Sequence, residues 1–275
     1  MLNEKEIYKL VNIISKATDE VLTIYNSQEF GIVEKDDNTP LTLADKKSHE
    51  CITKGLKDLS PEFPILSEEG KEIPYEERSK WQYFWLIDPL DGTKEFIKQN
   101  GEFTINIALV KGNKPVFGVV SVPVRKEIFF AYEGIGGYKI NYRKKTFSNN
   151  EELYREAQKL PLDGERDYIA VVGSRSHRDE KTEEYIEGLK KLGNIQVISL
   201  GSSYKICYLA EGSADIYPRF GRTMEWDIAA GQIILEETGG KIVDAENLEP
   251  LKYNKTSLDN PPFIAKSKSF IEKYE

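Results

Sequence analysis

Asp88 and Asp91 stand three residues apart, across Pro89, in the run Trp85-Leu86-Ile87-Asp88-Pro89-Leu90-Asp91-Gly92-Thr93. An apolar stretch ends there in two hard oxygen donors, the ligand type Mg²⁺ takes. Such sites commonly complete the metal's shell with substrate phosphate. Gly92 lets a backbone approach closely, and Thr93 opens a predicted short helix whose free N–H groups can receive an anion. An ordinary turn accounts for Pro89 and Gly92, but not for two carboxylates beside a Gly-Thr pair. The chemistry these residues point to is metal-assisted work on a phosphate ester.

Further acidic and polar groups recur at the ends of apolar runs. Glu68 and Glu69 follow a short predicted strand. Neighbouring strand residues point to opposite faces, so at most one of them faces a given metal, and spacing does not say which. The pair gains relevance because a two-metal site draws carboxylates from several segments. Asp227, in Trp226-Asp227-Ile228-Ala229-Ala230-Gly231, sits in the first turn of a predicted helix, where capping explains it equally well. Leu200-Gly201-Ser202-Ser203 reads as strand, loop and helix start, either a second anion site with Lys205 nearby or a plain cap. Ser174-Arg175-Ser176-His177 joins a strand to a helix, where a solvated histidine is the ordinary case. Asp45 and His49 form an i,i+4 pair that a surface position explains. Gly134-Ile135-Gly136-Gly137 is flanked by strands and reads as a turn.

The elements that must position these groups follow from hydrophobic period and punctuation. Residues 4–27 predict a helix, and a second helix runs from Thr42 towards Leu59. Strands are expected at 63–66, 83–87, 103–110, 116–122 and 128–132, the later ones close enough for an antiparallel sheet. Residues 71–80 read as a charged surface excursion, and 142–167 as a polar, turn-rich stretch marking a domain boundary. Beyond it strands at 168–172, 195–200, 214–217 and 241–243 alternate with helices at 179–192, 203–211 and 227–237, an α/β pattern. The expected units are 1–163, with most of the acidic groups, and 164–275.

Composition narrows the function classes. The 275 residues carry a net charge of −8 and are 39% hydrophobic and 31% charged. The acidic balance argues against nucleic-acid binding, yet a bound cation can invert the local field for a small anion. Two histidines make an imidazole-rich zinc site improbable. Two cysteines are too few for a disulfide framework, which points to a cytoplasmic setting. No apolar run nears the roughly 20 residues of a membrane span, and the N-terminus lacks the pattern of a secretory signal. Peripheral attachment at the inner face of the cell membrane stays open, as does the oligomeric state.

Asp88-Pro89-Leu90-Asp91-Gly92-Thr93 closely resembles the signature of the lithium-sensitive, Mg²⁺-dependent inositol monophosphatase superfamily. Trp226–Gly231 resembles its second signature, and Glu68-Glu69 and Thr42-Leu43-Ala44-Asp45 match its two remaining acidic segments in order. Lys94–Lys98, Asn100–Phe103, Ser174–His177, Gly201–Lys205 and Asp215–Phe220 are most similar to the branch that hydrolyses 3′(2′),5′-bisphosphate nucleotides. The resemblance implies a layered αβαβα sandwich of mixed α+β and α/β character with two subdomains. It implies two or three Mg²⁺ held by Glu68, Asp88, Asp91, Asp227 and the Leu90 carbonyl, choosing Glu68 over Glu69. Asp45 and Thr93 would position the attacking water. Gly92, His177, Ser202, Lys205 and Arg219 would line the substrate together with Glu68, Leu90, Asp91, Thr93 and Asp227. The implied reaction converts 3′-phosphoadenosine 5′-phosphate to AMP and phosphate, a step in sulfur metabolism. Inositol or sugar phosphate monoesters are the alternative substrates. An aspartyl-phosphate enzyme is disfavoured by the two residues between Asp88 and Asp91, where that motif has one.

Overall fold

Apolar residues recur along one face of α1 (Ile7–Ser27), and Ile7, Leu10, Val11, Ile14, Ala17, Val21 and Ile24 are all buried, as a 3.6-residue stripe against a core requires. The computed structural model describes residues 6–34, 40–142, 146–162, 164, 166–174 and 180–275. A two-stranded hairpin, β1 (Val33–Glu34) and β2 (Pro40–Leu41), leads into α2 (Leu43–Lys57), which packs beside α1.

The chain then builds a large sheet. Its strands are β3 (Ile65–Ser67), β4 (Tyr83–Asp91), β5 (Thr104–Lys111), β6 (Lys114–Val122), β7 (Glu127–Tyr132), β8 (Gly136–Asn141) and β9 (Gln158–Lys159). They lie side by side in sequence order, β3 parallel to β4 and the rest antiparallel. Short helices α3 (Tyr75–Arg78), α4 (Thr93–Ile97) and α5 (Asn150–Glu156) interrupt the meander.

Between Lys159 and Ile169 the chain crosses to a second sheet. It comprises β10 (Ile169–Ser174), β11 (Ile195–Leu200), β12 (Ile216–Arg219), β13 (Lys241–Asp244) and β14 (Phe263–Lys266), in the order β11-β10-β12-β14-β13. The helices of this half are α6 (Glu180–Leu189), α7 (Tyr204–Ala210), α8 (Glu225–Glu236) and α9 (Lys268–Tyr274). One apolar cluster joins α7 and α8 to facing sides of both sheets, and another joins α6 and α9 to the outer side of the smaller sheet. With α1 and α2 on the far side of the large sheet, the layers run αβαβα, as the resemblance implies.

The middle layer is where sequence composition matters most. Ile228, Ala229, Ala230, Gly231, Ile233, Ile234 and Leu235 are buried on consecutive faces of α8, the pattern of a helix enclosed all round. Its close seating depends on Gly118 in β6, because a Cβ there would stand 2.3 Å from the Ala230 carbonyl oxygen.

Three sequence expectations need correction. The 71–80 stretch is not a simple surface excursion, since α3 carries Arg78, which is 3% exposed. Its guanidinium donates to Asn254 Oδ1 (2.9 Å), Lys255 O (2.6 Å) and Thr256 O (2.8 Å), tying this segment to one near the C-terminus. Within 142–167, α5 and β9 form where only turns were expected. The strand expected to end at Ile87 continues to Asp91, with a break in register between Asp88 and Asp91.

Candidate active site

Four acidic side chains from three segments of the chain face one cleft. Asp88 and Asp91 occupy the irregular end of β4, where a broken register re-aims side chains. Glu68 directly follows β3 and is held there by its N–H, which donates to the Ile87 carbonyl (3.1 Å). Asp227 lies in the first turn of α8 and accepts from the Met224 N–H at 2.8 Å. Together with Leu90, Gly92, Thr93 and Arg219 these residues line a cavity of about 690 Å³. Glu69 does not line this cavity, and its charge is felt at Asp45 and His49.

Asp88 is 1% exposed. Its Oδ1 accepts from the Leu90 N–H at 3.0 Å, while Oδ2 is buried with no hydrogen-bond partner. Burial, and then the charges of Glu68, Asp91 and Asp227, push its pKa well above the usual carboxylate range. Burial also raises Asp91, with Lys205 opposing, and raises Asp227, with Asp91 adding to it. Carboxylates crowded in this way stay ionised together only when cations lie among them. Among the described residues no three Asp, Glu, His or Cys side chains are drawn into a finished cage. The four form an open wall whose remaining side is the cleft itself.

Beside this wall sits a hydroxyl–carboxylate pair. Thr42 caps α2, and Asp45 turns back onto the cap, its Oδ2 accepting from Thr42 N–H at 2.7 Å. Asp45 Oδ1 accepts from Thr93 Oγ1 at 3.3 Å, and Thr93 Oγ1 is 3.5 Å from the Leu90 carbonyl. Asp45 is 1% exposed, and burial above all raises its pKa to about 6. The i,i+4 spacing with His49 is therefore no surface pair; His49 Nδ1 instead meets Ser67 Oγ at 2.9 Å.

A smaller compartment of about 170 Å³ opens from the first, sharing Asp91, Gly92, Arg219 and Asp227 and adding Gly201, Ser202, Ser203, Lys205 and Tyr217. Gly201 is required, because a Cβ there would lie 2.6 Å from the Glu102 carbonyl oxygen. Lys205 is 5% exposed, stacked over the Tyr217 ring at 5.3 Å, and donates to the Ser202 carbonyl at 2.7 Å. Burial, with Arg219 adding to it and Asp91 opposing, lowers its pKa to about 8. An acidic wall and a cationic compartment thus share one cleft, a layout suited to an ester bearing two anionic groups.

A model of the inositol monophosphatase family matches residues 3–272. This chain belongs to the inositol monophosphatase family. It is 41% identical over 257 residues to the 3′(2′),5′-bisphosphate nucleotidase CysQ of Escherichia coli strain K12, covering 93% of this chain and 97% of that one. CysQ of Haemophilus influenzae is 34% identical over 264 residues, covering 96% and 93%. The crystal structure of CysQ from Bacteroides thetaiotaomicron, a bacterial member of the family, superimposes with a TM-score of 0.88 at 46% identity, covering 98% and 99%.

Members of this family are metal-dependent phosphatases, typically with Mg²⁺. The donor set fits such an ion. Every side chain on the wall is a hard oxygen ligand, and the buried, unpartnered Oδ2 of Asp88 is an acceptor that a cation in the cleft would satisfy.

Eleven of the twelve site residues expected from sequence lie on or beside this cleft, whereas His177 falls in 175–179, outside the described residues. Sequence reasoning missed Thr104 and Asn106, and met Ser203 only within the loop read as a second anion site or a plain cap. Ser203 N–H donates to Asp91 Oδ2, Thr104 Oγ1 lies 3.4 Å from the same oxygen, and Ser203 Oγ donates to Asn106 Oδ1 at 2.7 Å. The one available signal was Asn106 itself, a polar side chain inside the apolar run Ile105-Asn106-Ile107.

Proposed function

We propose that the protein is a Mg²⁺-dependent phosphatase that removes the 3′-phosphate of 3′-phosphoadenosine 5′-phosphate, giving AMP and inorganic phosphate. The observation carrying this reading is the junction, within one cleft, of an all-oxygen acidic wall with the cationic compartment of Lys205 and Arg219. A monoester with a single phosphate has no use for the second compartment. The bisphosphate nucleotidases named among the relatives support the same substrate.

Glu68, Asp88, Asp91, Asp227 and the Leu90 carbonyl would hold two or three Mg²⁺, whose charge makes a bound water nucleophilic and neutralises the leaving oxygen. The remaining work falls to the chain's own groups. Thr93, by donating to Asp45, presents its oxygen lone pairs for a proton of the attacking water. That proton passes to Thr93 Oγ1 as the Thr93 proton passes to Asp45 Oδ1. The water oxygen bonds to phosphorus, the bond from phosphorus to the 3′-oxygen breaks with its electron pair leaving on that oxygen, and solvent protonates the alkoxide to give the alcohol. An Asp45 pKa of about 6 suits this role, because a general base works best with a pKa near the working pH. N–H groups at Gly92 and Thr93 orient the phosphoryl oxygens, and phosphoryl transfer gains most from such positioning. Lys205, Arg219, Ser202 and His177 take the nucleoside and its 5′-phosphate.

Among the described residues no helix is long and apolar enough to cross a membrane, and Cys51 and Cys207 are free thiols. A cytoplasmic location accords with both. Phosphate release with 3′-phosphoadenosine 5′-phosphate, inositol 1-phosphate and fructose 1,6-bisphosphate, each with and without Mg²⁺, tests the reading. It requires kcat/KM about tenfold or more in favour of the nucleotide, the worth of one charge-assisted contact. Equal or better turnover of inositol 1-phosphate would move the assignment to that monoesterase.

A further inference from the structure

The hydrogen bonds behind Asp91 run in one direction and end opposite Asp88. Ser203 spends its hydroxyl proton on Asn106 Oδ1 (2.7 Å), so Ser203 Oγ is left to accept, and Thr104 Oγ1 is 2.7 Å away to donate to it. Thr104, Asn106 and Ser203 are 0, 1 and 4% exposed, so water does not substitute for any member of the chain. Asn106 pairs directly across the ladder with Asp88. Its Nδ2 is buried and has no hydrogen-bond partner, as is also true of Asp88 Oδ2. Two orphaned polar atoms on facing residues are uncommon in a native interior and call for a reason. At the other end, the Ser203 N–H occupies Asp91 Oδ2, leaving Asp91 Oδ1 as the oxygen for the cleft.

Ser203 also stands at the start of α7, between Ser202, whose backbone is left-handed (φ 50°), and Lys205. One residue therefore touches the acidic wall through its backbone, the ladder behind that wall through its hydroxyl, and the cationic compartment through its chain neighbours. We propose that Ser203 is a positioning residue, which with Thr104 and Asn106 fixes the orientation of Asp91 and sets the affinity of the acidic wall for its divalent cation. The proposal rests on the metal-dependent reading above. The groups that orient a ligating carboxylate commonly change metal affinity by about 10–100-fold when removed.

The test is direct Mn²⁺ binding, followed by water-proton relaxation or calorimetry, on the wild type, Ser203→Ala, Asn106→Ala, the double variant and Ser203→Thr. Ser203→Ala keeps the N–H that reaches Asp91 and removes only the hydroxyl. Expected is Mn²⁺ binding weakened about tenfold in each single variant. The double variant is expected to be no worse than the weaker single, because the two residues act as one unit. Ser203→Thr restores binding to within about threefold. The Mg²⁺ concentration needed for half-activation of Ser203→Ala rises about tenfold as well. Unchanged Mn²⁺ affinity in Ser203→Ala, or losses that simply add in the double variant, would overturn the proposal. If Ser203→Ala does not fold, Asn106→Ala with Ser203→Thr carries the same comparison. Failure of the wild type to bind Mn²⁺ at all would instead count against the metal-dependent reading.

Discussion

Replacing Lys205 with methionine keeps the buried aliphatic stem over the Tyr217 ring and removes only the ammonium group. The loss should fall on substrates with a second phosphate, because Lys205 lines the small compartment and not the acidic wall. A hydrogen bond to a charged group is worth about 1.5–3 kcal/mol, and each 1.4 kcal/mol is tenfold in kcat/KM. Lys205→Met should therefore lower kcat/KM for 3′-phosphoadenosine 5′-phosphate by about 10–150-fold, and that for inositol 1-phosphate by less than about threefold. The pH dependence supplies an independent check. Burial lowers the Lys205 pKa to about 8, so the side chain is charged below that value and neutral above it. Anion binding is then complete at pH 7 and declines as pH rises through 8, so KM for the nucleotide should climb there in the wild type and stay flat in Lys205→Met. Steady-state phosphate release at pH 6.5–9.5 reads both effects. Equal losses on the two substrates, or a KM that does not depend on pH above 8, would refute the assignment of Lys205 to the distal phosphate.

Asp45→Asn should reduce kcat by about 10²–10⁴, the usual worth of a general base. The wild-type rate should fall as pH drops below about 6, where Asp45 takes up a proton, and the variant should lose that limb. Asp88→Asn should abolish turnover yet raise Tm in EDTA, since it removes a buried charge that repels Glu68, Asp91 and Asp227. By the same sign, the raised pKa values of Asp88, Asp91 and Asp227 mean that the metal-free fold is favoured by protonation, so its stability declines as pH rises above the ordinary carboxylate range. Saturating Mg²⁺ should cancel that decline. Gly118→Ala drives a Cβ into the Ala230 carbonyl, and overpacking of about 1–3 kcal/mol should lower Tm by roughly 3–10 °C, read by calorimetry.

What was legible in the sequence were the features set by local pattern. The stripe along α1, the helix start at Thr42 and the Asp88–Thr93 run announce themselves because their causes lie within one helical turn or one strand. Asp45 was legible as an acid but not as a buried one, since one of its partners, Thr93, lies 48 residues away. Arg78 looked like surface charge because its three partners lie more than 170 residues downstream. The network joining Thr104, Asn106 and Ser203 was not legible for the same reason, with 97 and 99 residues separating the partners. The short strand β9 and the helix α5 escaped because a two-residue strand carries no period, and the burial of α5 rests on Leu153 alone. For Glu68 over Glu69, left open by alternation, the support is that the Glu68 charge is felt at Asp88 and the Glu69 charge at Asp45 and His49.

The central claim is that carboxylates distant in sequence grip divalent cations at the mouth of a phosphate-binding cleft. A crystal grown with Mn²⁺ and AMP, measured at the manganese absorption edge, tests it most directly. The account predicts anomalous peaks within about 2.0–2.4 Å of carboxylate oxygens of Glu68, Asp88, Asp91 and Asp227, with the 5′-phosphate of AMP against Lys205 and Arg219. Manganese bound elsewhere, with these four side chains left uncoordinated, would contradict it.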